Sequence, residues 1–135
     1  MPYWLLMALD GGFWVFHTLL IFFNILGWAW KRTRRWNLLT LGLTMASWLL
    51  MGLWKGIGYC ICTDWHFKVR GALGIHDNAD SYLQLLVGKL SGWEAPIGLL
   101  NACAGIFLGL SVVLSVTLNI IDWRRSKALA LAPSD

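Results

Sequence analysis

The sequence predicts an all-α integral membrane protein, with three transmembrane helices and two short amphipathic helices in an extracytoplasmic loop. Hydrophobic residues make up 58% of the 135 residues and charged residues only 13%, whereas a soluble domain carries about 25% charged residues. A soluble fold of this length buries only part of its surface, so this apolar surplus calls for the bilayer as a second apolar phase. The length favours one membrane domain over residues 1–135.

Three stretches without a charged residue are the predicted spans. They cover about 11–30, 36–54 and 95–121, and a helix needs about 20 mainly apolar residues to cross the hydrocarbon core. Pro96 suits the first turn of the third helix, where a missing N–H is not required. The rest of the chain forms an outer loop, 55–94, and a cytoplasmic tail, 122–135.

The basic residues predict the orientation. Of the eleven Lys and Arg in the chain, four lie in the first connection and three follow the third span. They are Lys31, Arg32, Arg34, Arg35, Arg124, Arg125 and Lys127. By the positive-inside rule these segments are cytoplasmic, and the N-terminus and the long loop lie outside. Because the basic residues flank apolar runs, they indicate membrane orientation and exclude a nucleic-acid surface.

The outer loop is too apolar for a disordered linker and predicts two short helices. Residues 63–73 and 80–90 each place apolar side chains along one side. Both are too short to span, so we expect them to lie on the outer leaflet or to cap the bundle. Thr63 is expected to cap the first of them by accepting a hydrogen bond from the backbone N–H of His66.

One face of the first span carries polar residues at every seventh position, namely Asp10, His17 and Asn24. Ionisable residues inside a membrane usually face a partner or a cavity. His17 is therefore a candidate ligand for haem or a chlorophyll-type pigment, or a proton relay. The alternative is a neutral imidazole that is hydrogen-bonded to a hydroxyl of the second helix. The hydroxyls sharing one face of that helix are Thr40, Thr44 and Ser47.

The outer loop gathers candidate metal ligands: Cys60, Cys62, His66 and His76. Thiolate and imidazole are ligands that zinc prefers, and four of them could close a tetrahedral site. A disulfide is the alternative, because an extracytoplasmic loop faces an oxidising compartment. With three cysteines in the chain, one stays unpaired whatever the pairing. We expect Cys103, in the third span, to be a small buried side chain.

Small residues form a continuous seam in the third span: Gly98, Ala102, Gly105 and Gly109. Such residues let helix backbones approach closely, either within the chain or against another subunit. No nucleophile elbow, phosphate loop or dinucleotide-binding glycine pattern occurs. The sequence therefore favours an accessory or scaffolding subunit, which packs against other membrane proteins or itself, over an enzyme.

Several short motifs carry a family resemblance. His17 is followed ten residues later by Gly27, and a basic connection precedes a second helix with Trp48. The run from Gly58 to His66 reads Gly-Tyr-Cys-Ile-Cys-Thr-Asp-Trp-His, with Arg70 downstream and Ser81-Tyr82 later. This order resembles a bacterial inner-membrane family known only as a domain of unknown function. The resemblance implies a three-helix protein of the bacterial inner membrane and no particular activity.

The chain departs from that family's pattern at three positions. Ile61 and Cys62 stand where Pro and Leu are typical, and His66 stands where Glu is typical. In the family, Thr followed three residues later by Glu makes a capping box, and His66 serves that role less well. Either the cap is weaker here, or His66 has another task.

Overall fold

A computed structural model describes residues 1–56 and 59–131. Over these residues the protein is all-α, without a strand, and three of its helices are long and apolar enough to cross a membrane. The helices are α1 (Tyr3–Leu26), α2 (Arg34–Lys55), α3 (Ile61–Ala72), α4 (Tyr82–Ser91) and α5 (Ile97–Leu131). The predicted fold class is confirmed. Gly58 of the motif and residues 132–135 of the predicted tail lie outside the described residues.

The long helices differ from the predicted spans where a charged residue has a partner. α1 begins at Tyr3 rather than after Asp10, because the Asp10 carboxylate is held by two side chains of α3. α5 continues past Asp122 to Leu131, so most of the predicted tail is helical. The carboxylate of Asp122 lies 2.8 Å from Nη1 of Arg34 at the start of α2.

The distribution of side chains is that of a protein whose surroundings are apolar. Among the described residues, six hydrophobic side chains and nine polar or charged side chains are buried. Most of the large hydrophobic side chains are exposed. Without water in the bilayer core, polar groups of a spanning bundle turn inward. The buried polar residues are His17, Asn24, Asn37, Thr63, His66, Arg70, Ser81, Ser111 and Ser115.

Asn37 stabilises the turn between α1 and α2 by hydrogen bonds, and its side chain is fully buried. Its Nδ2 donates to the carbonyl oxygens of Phe23, at 2.7 Å, and Asn24, at 3.3 Å. These are carbonyls of the last turn of α1, which an α-helix leaves without intrahelical partners. Gly27 makes this approach possible, because a Cβ there would lie 2.6 Å from the Phe23 oxygen and 2.9 Å from Asn37 Nδ2.

α3 runs antiparallel to α1 and packs against it. Its first residues meet α1 at His17, and His66, one and a half turns on, meets α1 at Asp10. The N–H of Ile61 donates to Ser47 Oγ at 2.9 Å. Since Ser47 precedes the last residue of α2 by two helical turns, α3 begins about 12 Å below the end of α2. α4 covers the same end of the bundle, which we call the loop end.

Candidate functional site

A cavity of about 590 Å³ lies between α1, α2 and α5, below the first turns of α3 and α4. Its lining is mainly apolar and includes Phe16, Leu20 and Phe107. Polar side chains enter it from every helix, among them His17 and Asn24. Such a chamber, apolar with a few converging polar groups, has the form typical of small-molecule sites.

His17 is the polar centre of the cavity wall. It is 6% exposed, and its ring stacks on that of Tyr82 with the centroids 3.9 Å apart. Nε2 lies 3.5 Å from Sγ of Cys60. Nδ1 has no hydrogen-bond partner among the described residues. One ring nitrogen thus faces a thiol, and the other is buried without a hydrogen-bond partner in the described chain.

The hydroxyls of α2 that were alternative partners for His17 serve other groups. Thr44 Oγ1 accepts a hydrogen bond from Asn24 Nδ2 at 2.9 Å, Ser47 receives the N–H of α3 described above, and Thr40 donates to the Asn37 carbonyl. Asn24 is 6% exposed, and its Oδ1 has no partner within the described part of the chain. Asn24 is therefore a second residue of the cavity lining that keeps a buried polar atom without a partner in the described chain.

The cap of α3 is Cys60, so the prediction that Thr63 caps this helix is wrong. Cys60 has the extended backbone of an N-cap, and its sulfur accepts the N–H of Thr63 at 3.4 Å. Thr63 sits in the first turn, and its hydroxyl lies 3.0 Å from the same sulfur. The helix starts earlier than expected because the Cys60 thiol occupies the capping position that Ser or Thr usually fills.

The predicted zinc ligands are not gathered into one site. Cys60 and Cys62 line the cavity, His66 is buried against Asp10, and His76 is exposed. Among residues 1–56 and 59–131, no group of three His, Cys, Asp or Glu side chains is placed to hold a metal ion. The three cysteines are free thiols.

A buried ionic cluster lies beside the cavity, between α1 and α3. Asp10 Oδ1 accepts hydrogen bonds from His66 Nε2 at 2.8 Å and from Arg70 Nη1 at 3.0 Å. Arg70 also donates through Nε and Nη2 to both carboxylate oxygens of Asp77. Hydrogen bonding by Arg70 lowers the pKa of Asp77, and the same contact raises the pKa of Arg70. The cluster joins α3 and the loop after it to α1.

His66 occupies the centre of this cluster and is fully buried. Burial lowers its pKa, and the hydrogen bond to Asp10 opposes that shift. The ring is also flanked by Phe13, which stacks on it with centroids 5.4 Å apart. His66 thus has a structural role, namely its hydrogen bond to Asp10. The sequence alone had left open what His66 does at the position where the family has Glu.

The small-residue seam of α5 faces outward. Gly98, Ala102, Gly105 and Gly109 are all exposed, and a Cβ at any of the three glycines would meet nothing within 4 Å. Gly105 and Gly109 line a groove of about 510 Å³ between α2 and α5, together with Gly52 and Trp48. The seam is therefore not used for close packing within the chain.

Sequence reasoning missed one residue of the site and one contact. Tyr82 was expected only as part of an apolar stripe, yet it stacks on His17 and donates to the Trp14 carbonyl at 3.0 Å. The contact between His17 and Cys60 was missed as well, since 43 residues separate them. The available signal was the Ser81-Tyr82 position of the family resemblance, which marked Tyr82 without giving it a role.

Comparison with protein families shows that the chain belongs to the family described as Protein of Unknown function (DUF2784), whose model matches residues 7–120. This agrees with the resemblance drawn from the short motifs. No curated protein and no solved structure matches the chain.

Proposed function

For this member of a family of unknown function, we propose that the bundle binds a small, largely apolar molecule in its central cavity. The observation that carries the proposal is this mainly apolar cavity, whose wall includes two polar residues, His17 and Asn24, that each keep one buried polar atom without a partner in the described chain. Both residues are 94% buried. In a membrane no bulk water reaches such atoms, and each unsatisfied one costs free energy.

The size and lining of the cavity support a ligand rather than a packing defect. Its volume of about 590 Å³ falls within the range of about 300–1,000 Å³ that is usual for ligand sites. A ligand with an apolar body and one or two hydrogen-bonding groups would bury the first against Leu20 and Phe107 and present the second to His17 and Asn24.

A tetrapyrrole ligated by His17 is one ligand class that this proposal includes. The imidazole nitrogens are the usual axial ligands of haem iron. Because Nε2 faces the Cys60 thiol at 3.5 Å, ligation would use Nδ1 or displace that thiol. Protein purified from its native membrane is then expected to show a visible absorption band that is lost in His17→Ala.

A paired substitution tests the proposal for any ligand. Ala104 lines the cavity, whereas Leu110 on the same helix is 56% exposed. Ala104→Trp fills the chamber and should remove the molecule that organic solvent extracts from the purified wild type, as read by mass spectrometry. Leu110→Trp should leave that molecule in place. A wild-type extract without a stoichiometric small molecule would refute the proposal.

A second candidate function is that of an accessory or scaffolding subunit, and the exposed seam of α5 favours it. Three glycines with open space above them, beside a groove lined by Gly52 and Trp48, suit the close approach of another helix. The partner is a second copy of this chain or another membrane subunit.

This second function is tested by filling the groove. Gly105→Leu with Gly109→Leu should abolish association in mild detergent, measured by light scattering and by mass spectrometry of co-purifying proteins. Gly42→Leu is the control, because Gly42 is also exposed on a long helix with nothing within 4 Å. A wild type that purifies alone and monomeric would contradict it.

The proposed location is the bacterial inner membrane, with the N-terminus and the loop end outside and the C-terminus in the cytoplasm. The seven basic residues beside the first connection and after the third span support this orientation. Tags inserted near residue 33 and near residue 78 should report opposite compartments. Tags that report the same compartment would exclude the orientation.

A further inference from the structure

We propose that Cys60 is a nucleophilic thiol that takes an acyl group from a membrane-lipid ester held in the cavity, with His17 as its general base. The inference rests on the proposed function, since the cavity must first admit the lipid chain. It names the ligand class as an acyl ester of a membrane lipid and gives the site a reaction.

The first support is the contact between the thiol and the imidazole. Sγ of Cys60 and Nε2 of His17 are 3.5 Å apart, and both residues line the cavity. A nucleophilic cysteine needs an adjacent base that removes its proton. Nε2 can accept that proton only if Nδ1 carries the ring hydrogen. The N–H at Nδ1 is then a buried donor without a partner in the described chain.

The second support is the position of the sulfur at the start of a helix. Cys60 is the N-cap of α3, where the N–H of Thr63 points at Sγ at 3.4 Å and the Thr63 hydroxyl lies at 3.0 Å. The N-terminus of a helix favours negative charge. The backbone contact therefore places a hydrogen-bond donor at the sulfur. The N–H of Cys62 is a further amide of this first turn that the helix itself leaves unused, and it can receive an oxyanion.

Cys62 is the poorer nucleophile of the two loop cysteines. Burial raises the pKa of the Cys62 thiol, and the charge of Cys60 raises it further. The base His17 contacts Cys60. The geometry assigns the reaction to one sulfur of the three in the chain.

The depth of Cys60 points to a lipid ester as the electrophile. Arg34, paired with Asp122, marks one end of the bundle. Ser47, at whose level α3 begins, lies 13 residues further along α2, which is about 20 Å of helix. The hydrocarbon core is about 30 Å thick, so the thiol lies about 10 Å inside the loop-end boundary. Ester carbonyls join head groups to acyl chains near that boundary, so a lipid brings its ester to Cys60 by sinking about 10 Å into the bundle, with its acyl chain in the apolar cavity.

The reaction balances with the groups present. His17 Nε2 takes the proton of the Cys60 thiol, and the thiolate attacks the ester carbonyl to form a tetrahedral oxyanion. The carbon–oxygen ester bond then breaks, and the proton passes from His17 to the leaving lipid alkoxide. The products are an acyl thioester on Cys60 and the lipid alcohol. Water that attacks the thioester returns the free thiol and a fatty acid, so no electrons are exchanged with another reagent.

The experiment uses the full chain in nanodiscs of phosphatidylethanolamine and phosphatidylglycerol, with p-nitrophenyl laurate as an activated ester probe. Intact-mass and peptide mass spectrometry are expected to find an acyl group on Cys60, removed by neutral hydroxylamine, and none on Cys62 or Cys103. Cys60→Ser keeps a good N-cap and should lose the hydroxylamine-sensitive adduct. His17→Gln should slow acylation by about 10²–10⁴-fold, while the exposed control His76→Gln should react like the wild type.

Failure of this inference is distinguishable from failure of the proposed function. If wild-type Cys60 carries no thioester, or the three cysteines are labelled equally, the inference is overturned. If in the same preparations the wild type still releases a bound molecule that Ala104→Trp lacks, ligand binding in the cavity stands without acyl transfer. If neither an adduct nor a bound molecule is found, both are overturned.

Discussion

The rings of His17 and Tyr82 are stacked, with centroids 3.9 Å apart and planes inclined by 10°. The Tyr82 hydroxyl completes the attachment of α4 to α1, since it donates to the Trp14 carbonyl and lies 2.8 Å from Thr18 Oγ1. Burial raises the pKa of Tyr82, although the contact with Thr18 opposes this shift. The hydroxyl therefore remains protonated and able to donate at neutral pH.

Removing this hydroxyl should weaken the bundle modestly. Tyr82→Phe keeps the stack on His17 but leaves the Trp14 carbonyl without its donor, so we expect the free energy of unfolding to fall by about 1 kcal/mol. Tyr82→Leu should lose about 0.5–1.5 kcal/mol more with the ring contact. Denaturation in dodecyl maltoside, followed by tryptophan fluorescence, measures both. Tyr3→Phe, at a 69% exposed position, is the matched control, and equal stability of all variants would count against the stack.

Arg70 should be among the most sensitive positions of the chain. Arg70→Met leaves the carboxylates of Asp10 and Asp77 without their common partner. Breaking a buried ion pair from one side costs about 3–5 kcal/mol, and we expect a loss of that order in the same denaturation assay. Arg70→Lys should lose less, because it keeps the charge but not the paired donors to Asp77.

The control for Arg70 is Lys68→Met on the same helix. Lys68 pairs with Asp64, but its side chain is 72% exposed, and such surface pairs contribute at most about 1 kcal/mol. Equal losses for the two methionine variants would show that the buried cluster contributes no more than a surface pair.

His66 should make stability depend on pH. Its pKa is lowered in the folded protein, so as the pH falls below about 6.5 the unfolded chain takes up the proton first. Stability should therefore decline from about pH 7 to about pH 5 in the wild type, and His66→Gln should remove part of that decline. The lowered pKa of Asp77 has its effect below about pH 4, outside this window.

The pH measurement has its own control in the exposed His76. His76→Gln should keep the wild-type dependence, because His76 is exposed whereas His66 is buried against Asp10. The measurement is the denaturation midpoint of the wild type, His66→Gln and His76→Gln across this pH range. An unchanged slope in His66→Gln would exclude His66 as the titrating group.

Two glycine-to-alanine changes should separate close packing from open surface. At Gly27 a Cβ would meet the Phe23 carbonyl oxygen and Asn37, so Gly27→Ala should destabilise the α1–α2 hairpin by about 1–3 kcal/mol. At Gly42 nothing lies within 4 Å, and alanine is the better helix former. Gly42→Ala should therefore be neutral or stabilising in the same assay. A larger loss of stability in Gly42→Ala than in Gly27→Ala would disprove the close approach of Gly27 to Asn37.

The fold was largely predictable because crossing a bilayer demands long uncharged segments, and three are visible in the sequence. The bounds of α1 were not, because whether Asp10 ends a helix depends on His66 and Arg70, which lie 56 and 60 residues away. The start of α3 was misplaced because capping rules favour Thr63 over Cys60. The site was half predictable. His17 and Cys60 were both singled out, but only the antiparallel course of α3 along α1 brings them together.

The placement of Ile61 against Ser47 has a consequence for biogenesis. The N–H of Ile61 and the side chain of His66 find their partners, the Ser47 hydroxyl and the Asp10 carboxylate, only once the α1–α2 hairpin has formed. α3 should accordingly be the last element to settle and the first to detach, so amides of its opening turn should exchange hydrogen sooner than those of α2. The cavity is then completed late, when α3 packs against helices that have already formed.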